Sequence, residues 1–238
     1  MKLIVVGGPP AVGKTQVLAH ALGQLQSKGH SVRVVKLDCL VADDPDHYAK
    51  RGIEAKVGLS TYVCPDHYLA TNIGRIVAWG HELSTDILAI ESAGLCNRCS
   101  PYLSNVMAVG VLDVLSGTDT PRKVGPLLRS ADVVVLTRGD LVSQAEREVF
   151  RYRVAGVNRK ARILEVNGLT GQGCRALARL IEQAPQFLPG ERMGLRYPMP
   201  AAVCSFCLGE KRIGTEPLQG NVRLIDLSDR GTESTEGS

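Results

Sequence analysis

No stretch of this 238-residue chain is apolar for long enough to cross a bilayer. Nor is there a run of Lys or Arg. The 28 basic residues are scattered among 24 acidic ones for a net charge of +4, so the concentrated positive footprint of a nucleic-acid binder is missing. Neither a membrane span nor a nucleic-acid partner is expected. The start, Met1-Lys2-Leu3-Ile4-Val5-Val6, lacks the long apolar core of an export signal and runs straight into a Gly-rich loop. It reads as a buried strand, and a cytoplasmic location is expected. Aromatics are only 4% of residues, which leaves Val, Leu, Ile and Ala to fill the core. A closed disulfide framework is also missing, because the seven cysteines are odd in number and no export signal precedes them. The thiols therefore point to metal or redox chemistry, with some left over as inert packing.

What is there is ordinary for a globular protein: 44% hydrophobic and 22% charged residues, enough for one real core. Residues 2–6 read as a strand, 7–15 as a Gly/Pro loop, and 16–27 as a helix with Val17, Leu18, Ala21, Leu22 and Leu25 on one face and Gly29 as its stop. Further strands are expected at 31–37, 87–90, 106–114, 132–136 and 162–166, with helices between several of them, including 141–154 and 174–183. That alternation predicts an α/β fold with a mostly parallel sheet covered by helices on both faces. Ligands on such sheets bind beyond the carboxyl ends of the strands. After Gln183 the texture changes. Pro185, Pro189, Gly190, Pro198 and Pro200 punctuate a linker, a Cys-containing appendage is expected over 191–227, and 228–238 is polar enough to be disordered. Residues 1–190 would form the main domain.

Gly8-Pro9-Pro10-Ala11-Val12-Gly13-Lys14-Thr15 fits the pattern G-x-x-x-x-G-K-[ST]. Small residues let backbone N–H groups converge on phosphate oxygens, and the following helix adds its dipole. Lys14 should reach the β- and γ-phosphates, and Thr15 should ligate Mg²⁺. With a strand before it and a helix after it, the motif predicts binding of a nucleoside triphosphate. Two strand-end acids, Asp38 and Glu91, are candidates to hold Mg²⁺ directly or through water; each alone is equally an ordinary solvated end of a strand.

Five fragments in order carry a resemblance. They are the phosphate loop, Glu91-Ser92-Ala93-Gly94, residues 113–123 (DVLSGTDTPRK), residues 130–141 (SADVVVLTRGDL), and residues 167–173 (NGLTGQG). Together they make residues 1–190 resemble the nickel-insertion GTPases of the hydrogenase-maturation and urease-accessory type, within a class of dimeric P-loop nucleoside triphosphatases that includes cobalamin-related metallochaperones. The resemblance implies a phosphate cradle of Gly8, Val12, Gly13, Lys14, Thr15 and Gln16. It implies Asp38 and Glu91 around Mg²⁺, Asp44 in a first switch near the attacking water, and Gly94 as the hinge of a second switch facing the γ-phosphate. The family's switch threonine is Val41 here, a departure. Thr137-Arg138-Gly139-Asp140 stands where the family reads guanine with Asn-Lys-x-Asp. Asp140 can still accept from the guanine edge, the Arg138 stem can still cover the base, and Asn167 lies in the last matching loop. GTP is favoured over ATP on the retained Asp140; the alternative is that Asp140 caps the next helix. Pro9 replaces the extra lysine of the septum-site ATPase subclass.

Cys64-Pro65-Asp66-His67 resembles the family's Cys-Pro-His metal motif with Asp66 inserted. Thiolate and imidazole suit Zn²⁺ or Ni²⁺, and a two-fold partner would complete the set; the alternative is a simple turn. Cys96-Asn97-Arg98-Cys99 follows the second switch and Cys204-Ser205-Phe206-Cys207 lies in the appendage; four thiolates also suit an iron–sulfur cluster. Cys39 and Cys174 read as packing residues, and His20, His30, His47 and His81 as surface or satisfied histidines. The resemblance implies a GTPase metallochaperone that forms a nucleotide-dependent homodimer, works with a client metalloenzyme or its accessory proteins, and assists insertion of a metal, with nickel favoured. Two rivals stand beside it: a nucleotide-gated regulatory module with structural cysteines, and an ATP-dependent redox partner with a dimer-bridging cluster. A small-molecule kinase would need an Arg-rich lid, and none is legible.

Overall fold

The structure, a computed structural model, describes residues 1–40, 45–94, 100, 102–197, 210–217 and 222–228. Seven strands form one sheet: β1 (Lys2–Gly7), β2 (Val32–Asp38), β3 (Glu54–Leu59), β4 (Ile87–Ser92), β5 (Met107–Asp113), β6 (Val133–Thr137) and β7 (Arg162–Val166). Their order is β3-β2-β4-β1-β5-β6-β7, and every pairing is parallel. The helices are α1 (Lys14–Gln26), α2 (Pro45–Ala49), α3 (Pro65–Glu82), α4 (Thr120–Lys123), α5 (Gly125–Ser130), α6 (Gln144–Val157) and α7 (Cys174–Glu182).

Strand side chains alternate between faces, and β1 shows the consequence. Leu3 and Val5 enter one core with Tyr68, Leu69, Ile73 and Ile76 of α3. Ile4 and Val6 enter the other with Val17, Leu18, Ala21, Leu22 and Leu25 of α1. That α1 face is the one its apolar spacing predicts. Strands buried on both faces read as continuous apolar runs, as β1, β4 and β5 do. Each fully buried Leu, Ile or Val stabilises by roughly 1.5–3 kcal/mol, so the central strands are a stiff base for the loops at their carboxyl ends.

Two elements were not legible in the sequence. β3 is an edge strand, half-exposed and interrupted by Lys56 and Gly58. α3 begins at Pro65, so residues 64–67 are not a turn but a helix start, with Pro at the first helical position and Asp66 in the first turn. α6 starts later than expected because Ser143 caps it, in a reciprocal box with Glu146. The cap is therefore Ser143 and not Asp140.

Beyond residue 190, Leu195 and Ile225 are buried in the α3-side core. Arg196 pairs with Asp132 at 2.6 Å. The Asn72 side chain of α3 donates to the Arg223 carbonyl at 3.0 Å and accepts from Ile225 N at 2.9 Å. The expected sites Val41, Asp44, Cys96, Cys99, Cys204 and Cys207, and the tail after residue 228, lie outside the described residues. No helix among the described residues is long and apolar enough to cross a membrane.

Candidate functional site

The loop after β1 ends in Gly13, whose φ of 89° is left-handed and turns the chain into α1. No side chain caps that helix, so the amides of its first turn face the cleft. Lys14 Nζ donates to the Gly8 and Pro9 carbonyls at 3.0 and 2.8 Å and reaches the Ala93 carbonyl at 3.4 Å. The lysine thus ties the phosphate loop to the segment after β4. Burial holds its ammonium below the ordinary lysine range; Glu91 opposes that shift and Lys36 adds to it. Gly94 closes the same junction. Its φ is +62°, and a Cβ there would lie 2.0 Å from the Gly8 carbonyl oxygen. Only glycine fits.

Thr15, Asp38 and Glu91 converge on one cleft, together with Lys14, Gln16, Lys36, His47 and Arg138. The cleft has a volume of about 370 Å³. Thr15 Oγ1 donates to Glu91 Oε1 at 2.7 Å. A hydroxyl that donates once keeps lone pairs for another ligand. Hydroxyl and carboxylate oxygens are the donor set a hard cation takes, so these residues fit Mg²⁺. Asp38 is partly spoken for: its Oδ1 accepts from Cys39 N at 2.8 Å.

A second layer fixes Glu91. Tyr48 of α2, fully buried, donates its hydroxyl to Glu91 Oε2 at 2.7 Å. Burial, then the Glu91 charge, holds this phenol well above its ordinary range, so it remains a donor. One residue along, Ser92 Oγ donates to Asp66 Oδ1 at 2.9 Å. Burial pushes the Asp66 carboxyl up to about 7, with the neighbouring Cys64 sulfur adding to the shift and Ser92 opposing it. Asp66 therefore joins the start of α3 to the end of β4, which puts Cys64 and His67 beside the strand that carries Glu91.

At the other end of the site, Val12, Gly13, Gln16, Thr137, Arg138, Asp140, Asn167 and Leu169 line a pocket of about 200 Å³. Gly13, Gln16 and Arg138 line both cavities, so the two are adjoining halves of one site. Asp140 is exposed in a one-turn 3₁₀ segment and has no capping duty. Thr137 faces inward: its hydroxyl is 2.8 Å from the Val12 carbonyl and 3.2 Å from that of Leu112. The hydroxyl's one proton is committed to these carbonyls, which leaves it only acceptor capacity toward the pocket. Arg138 pairs with Asp113 and donates to the Ala11 carbonyl at 2.9 Å. Its guanidinium clamps the loop while its stem borders the pocket. Asn167 Oδ1 accepts from the amides of Leu169 and Thr170 at 2.9 and 3.0 Å, which shapes the loop that closes the pocket.

The sequence family described as CobW/HypB/UreG, nucleotide-binding domain, matches residues 2–165. The chain belongs to the CobW/HypB/UreG family. It is 48% identical over 226 residues to the uncharacterized protein MJ0120 of Methanocaldococcus jannaschii, covering 95% of this chain and 97% of that one. It is 27% identical to urease accessory protein UreG 2 of a Bradyrhizobium species, over 76% of this chain and 90% of that one. The fold is also that of HypB from Helicobacter pylori, solved in complex with nickel: TM-score 0.61 at 18% identity, over 79% of this chain and 91% of that one.

Against that family frame, three side chains enter the site unforeseen. His47 is a satisfied histidine, its Nδ1 2.8 Å from Gln16 Nε2, and it also forms part of the cleft wall. Tyr48 and Lys36 carry no motif and become visible only when the strands are in register. Among the described residues, no cluster of three or more His, Cys, Asp or Glu is arranged to hold a metal. Cys174 is buried in the α1-side core as a packing residue. Cys39 is half-buried, with Ser60 Oγ 3.7 Å from its sulfur.

Proposed function

We propose that this protein is a GTP-hydrolysing metallochaperone that assists insertion of a metal, nickel in the first instance, into a client enzyme. The observation that carries the reading is the continuity of the two cavities: a basic, oxygen-lined phosphate cleft opens onto a pocket edged by the uncommitted carboxylate of Asp140. In this reading the triphosphate lies over Gly8–Gln16. Lys14 leaves its carbonyl partners for the β- and γ-phosphates and stabilises charge on the transferring phosphoryl group. Magnesium, held through Thr15 with Glu91 and Asp38 behind it, screens phosphate charge. Asp140 accepts from the guanine edge, and the Arg138 stem covers its face. Asp44 would orient the attacking water. With no arginine finger assigned, turnover is slow.

The thiols supply the cargo site in this proposal. Cys64 and His67 of one protomer, repeated by two-fold symmetry, give a soft ligand set; Cys96, Cys99, Cys204 and Cys207 are further candidates. The Asp66–Ser92 contact supports coupling, because any shift of the strand end that carries Glu91 is felt at the start of α3. The urease accessory name of a relative and the nickel in the Helicobacter HypB structure support the choice of metal. The division at residue 190 belongs to the same proposal.

The test is metal analysis of the dimeric fraction with GDP and with a non-hydrolysable GTP analogue, repeated for Cys64→Ala, Cys96→Ala and Cys204→Ala. The proposal expects nucleotide-dependent metal content that falls in at least the Cys64 variant. Equal metal in both nucleotide states would reject the coupling, and an anaerobically brown protein would favour a redox cluster.

A further inference from the structure

The metal end of the cleft already holds a cation. Lys36 lies on β2 and is 4% exposed. Its strand neighbour in register on β4 is Glu91, and in-register neighbours on adjacent strands share a face. Lys36 Nζ is 3.5 Å from Thr15 Oγ1 and 3.9 Å from Asp38 Oδ2. Thr15, Asp38 and Glu91 are the three residues proposed above to surround magnesium. An ammonium group therefore sits among the oxygens that a divalent ion would use. The phosphate loop has Pro9 where an auxiliary lysine would stand.

We infer that Lys36 is a built-in counter-cation of the nucleotide site, a positioning residue that supports triphosphate binding at low magnesium and opposes uptake of the metal. Two consequences follow from elementary electrostatics. A second ammonium beside Lys14 lets the cleft hold phosphate charge by itself, through charge-assisted hydrogen bonds. The same ammonium repels a divalent ion from the oxygens it touches, so magnesium adds less affinity than it does where the carboxylates stand alone. The inference rests on the nucleotide-binding reading of the site, and its test separates the two.

The probe is a non-hydrolysable GTP analogue titrated calorimetrically into the full chain, once with EDTA and once with saturating magnesium. In the wild type the two affinities should lie within roughly tenfold of each other, a ratio governed by a charge-assisted contact that does not need the metal. Lys36→Met keeps the volume and apolar stem. It should weaken binding in EDTA by about tenfold or more, strengthen the response to magnesium, and leave saturated binding nearly intact. Lys36→Arg should restore binding in EDTA. A wild type that depends on magnesium by more than roughly a hundredfold would overturn the inference even if Lys36→Met failed to fold. So would an unchanged ratio in a folded Lys36→Met, which would leave Lys36 as a structural partner of Thr15 and Asp38. A wild type that binds no analogue in either condition would overturn the site itself.

Discussion

The two halves of the cleft are built differently. The phosphate half is made of backbone and buried polar groups locked together: Lys14 on three carbonyls, Glu91 held at both oxygens, and Gly94 pressed against Gly8. The base half is made of side chains on exposed turns, with Asp140 open to solvent. A buried network with every group satisfied fails as a unit when one member is removed. An exposed reader can be changed without disturbing the frame. Binding strength and base choice should therefore be separable in this protein, with strength set at one end and choice at the other.

The most severe way to break the phosphate half is Gly94→Ala. A left-handed φ and a Cβ that would lie 2.0 Å from a carbonyl oxygen force the phosphate loop and the segment after β4 apart. Calorimetry should show triphosphate affinity reduced by roughly a hundredfold or more, the equivalent of about 3 kcal/mol of misplacement. Unchanged affinity would mean that the two segments do not need to touch. Next in size is Asp140→Ala, which sharpens the contrast. The preference for GTP over ATP should collapse by roughly ten- to a hundredfold while binding of inorganic triphosphate stays the same. If both nucleotides weaken equally, Asp140 belongs to the frame and the comparison fails.

Tyr48→Phe is a smaller change inside the phosphate half. It strips one hydrogen bond from Glu91 Oε2, a contact with a charged group worth about 2 kcal/mol. Thermal stability should fall, and the hydrolysis rate should fall by about tenfold with KM little moved, because Glu91 loses its fixed position. A normal rate with lowered stability would make Tyr48 a packing residue only. The mildest expectation concerns Cys174, which lines neither half but packs beneath α1 with its sulfur 3.8 Å from the Val17 carbonyl. Burial pushes its thiol up to about 11, and the thiolate is the reactive form. Alkylation at pH 8 followed by mass spectrometry should leave Cys174 unmodified in the folded protein, with labelling rising only as pH approaches 11 or in denaturant.

The same contrast governs what could be read in the sequence. The phosphate loop was legible because glycine spacing, a preceding strand and a following helix all encode one geometry. Thr15, in the first turn of α1, meets Glu91, near the end of β4. Asp140 was legible as a candidate reader, and the structure removes its rival duty by giving the cap to Ser143. Lys36 and Tyr48 were invisible for a common reason. Each is brought to Glu91 by a neighbouring element whose register no local pattern states, β2 beside β4 in one case and the short α2 in the other. β3 and the start of α3 were missed because edge exposure hides strand periodicity, and Pro65 reads as a break although it opens a helix. His47 had no ligand-like spacing because its partner, Gln16, is a helix away.

In the proposed function, residues 8–15 and the carboxylates facing them form a site for a magnesium-bound purine nucleoside triphosphate. Calorimetric titration of the intact chain with GTP and with ATP, magnesium present, tests it most directly. One site per chain with GTP bound more tightly than ATP is the predicted result; absence of binding by either nucleotide would contradict it.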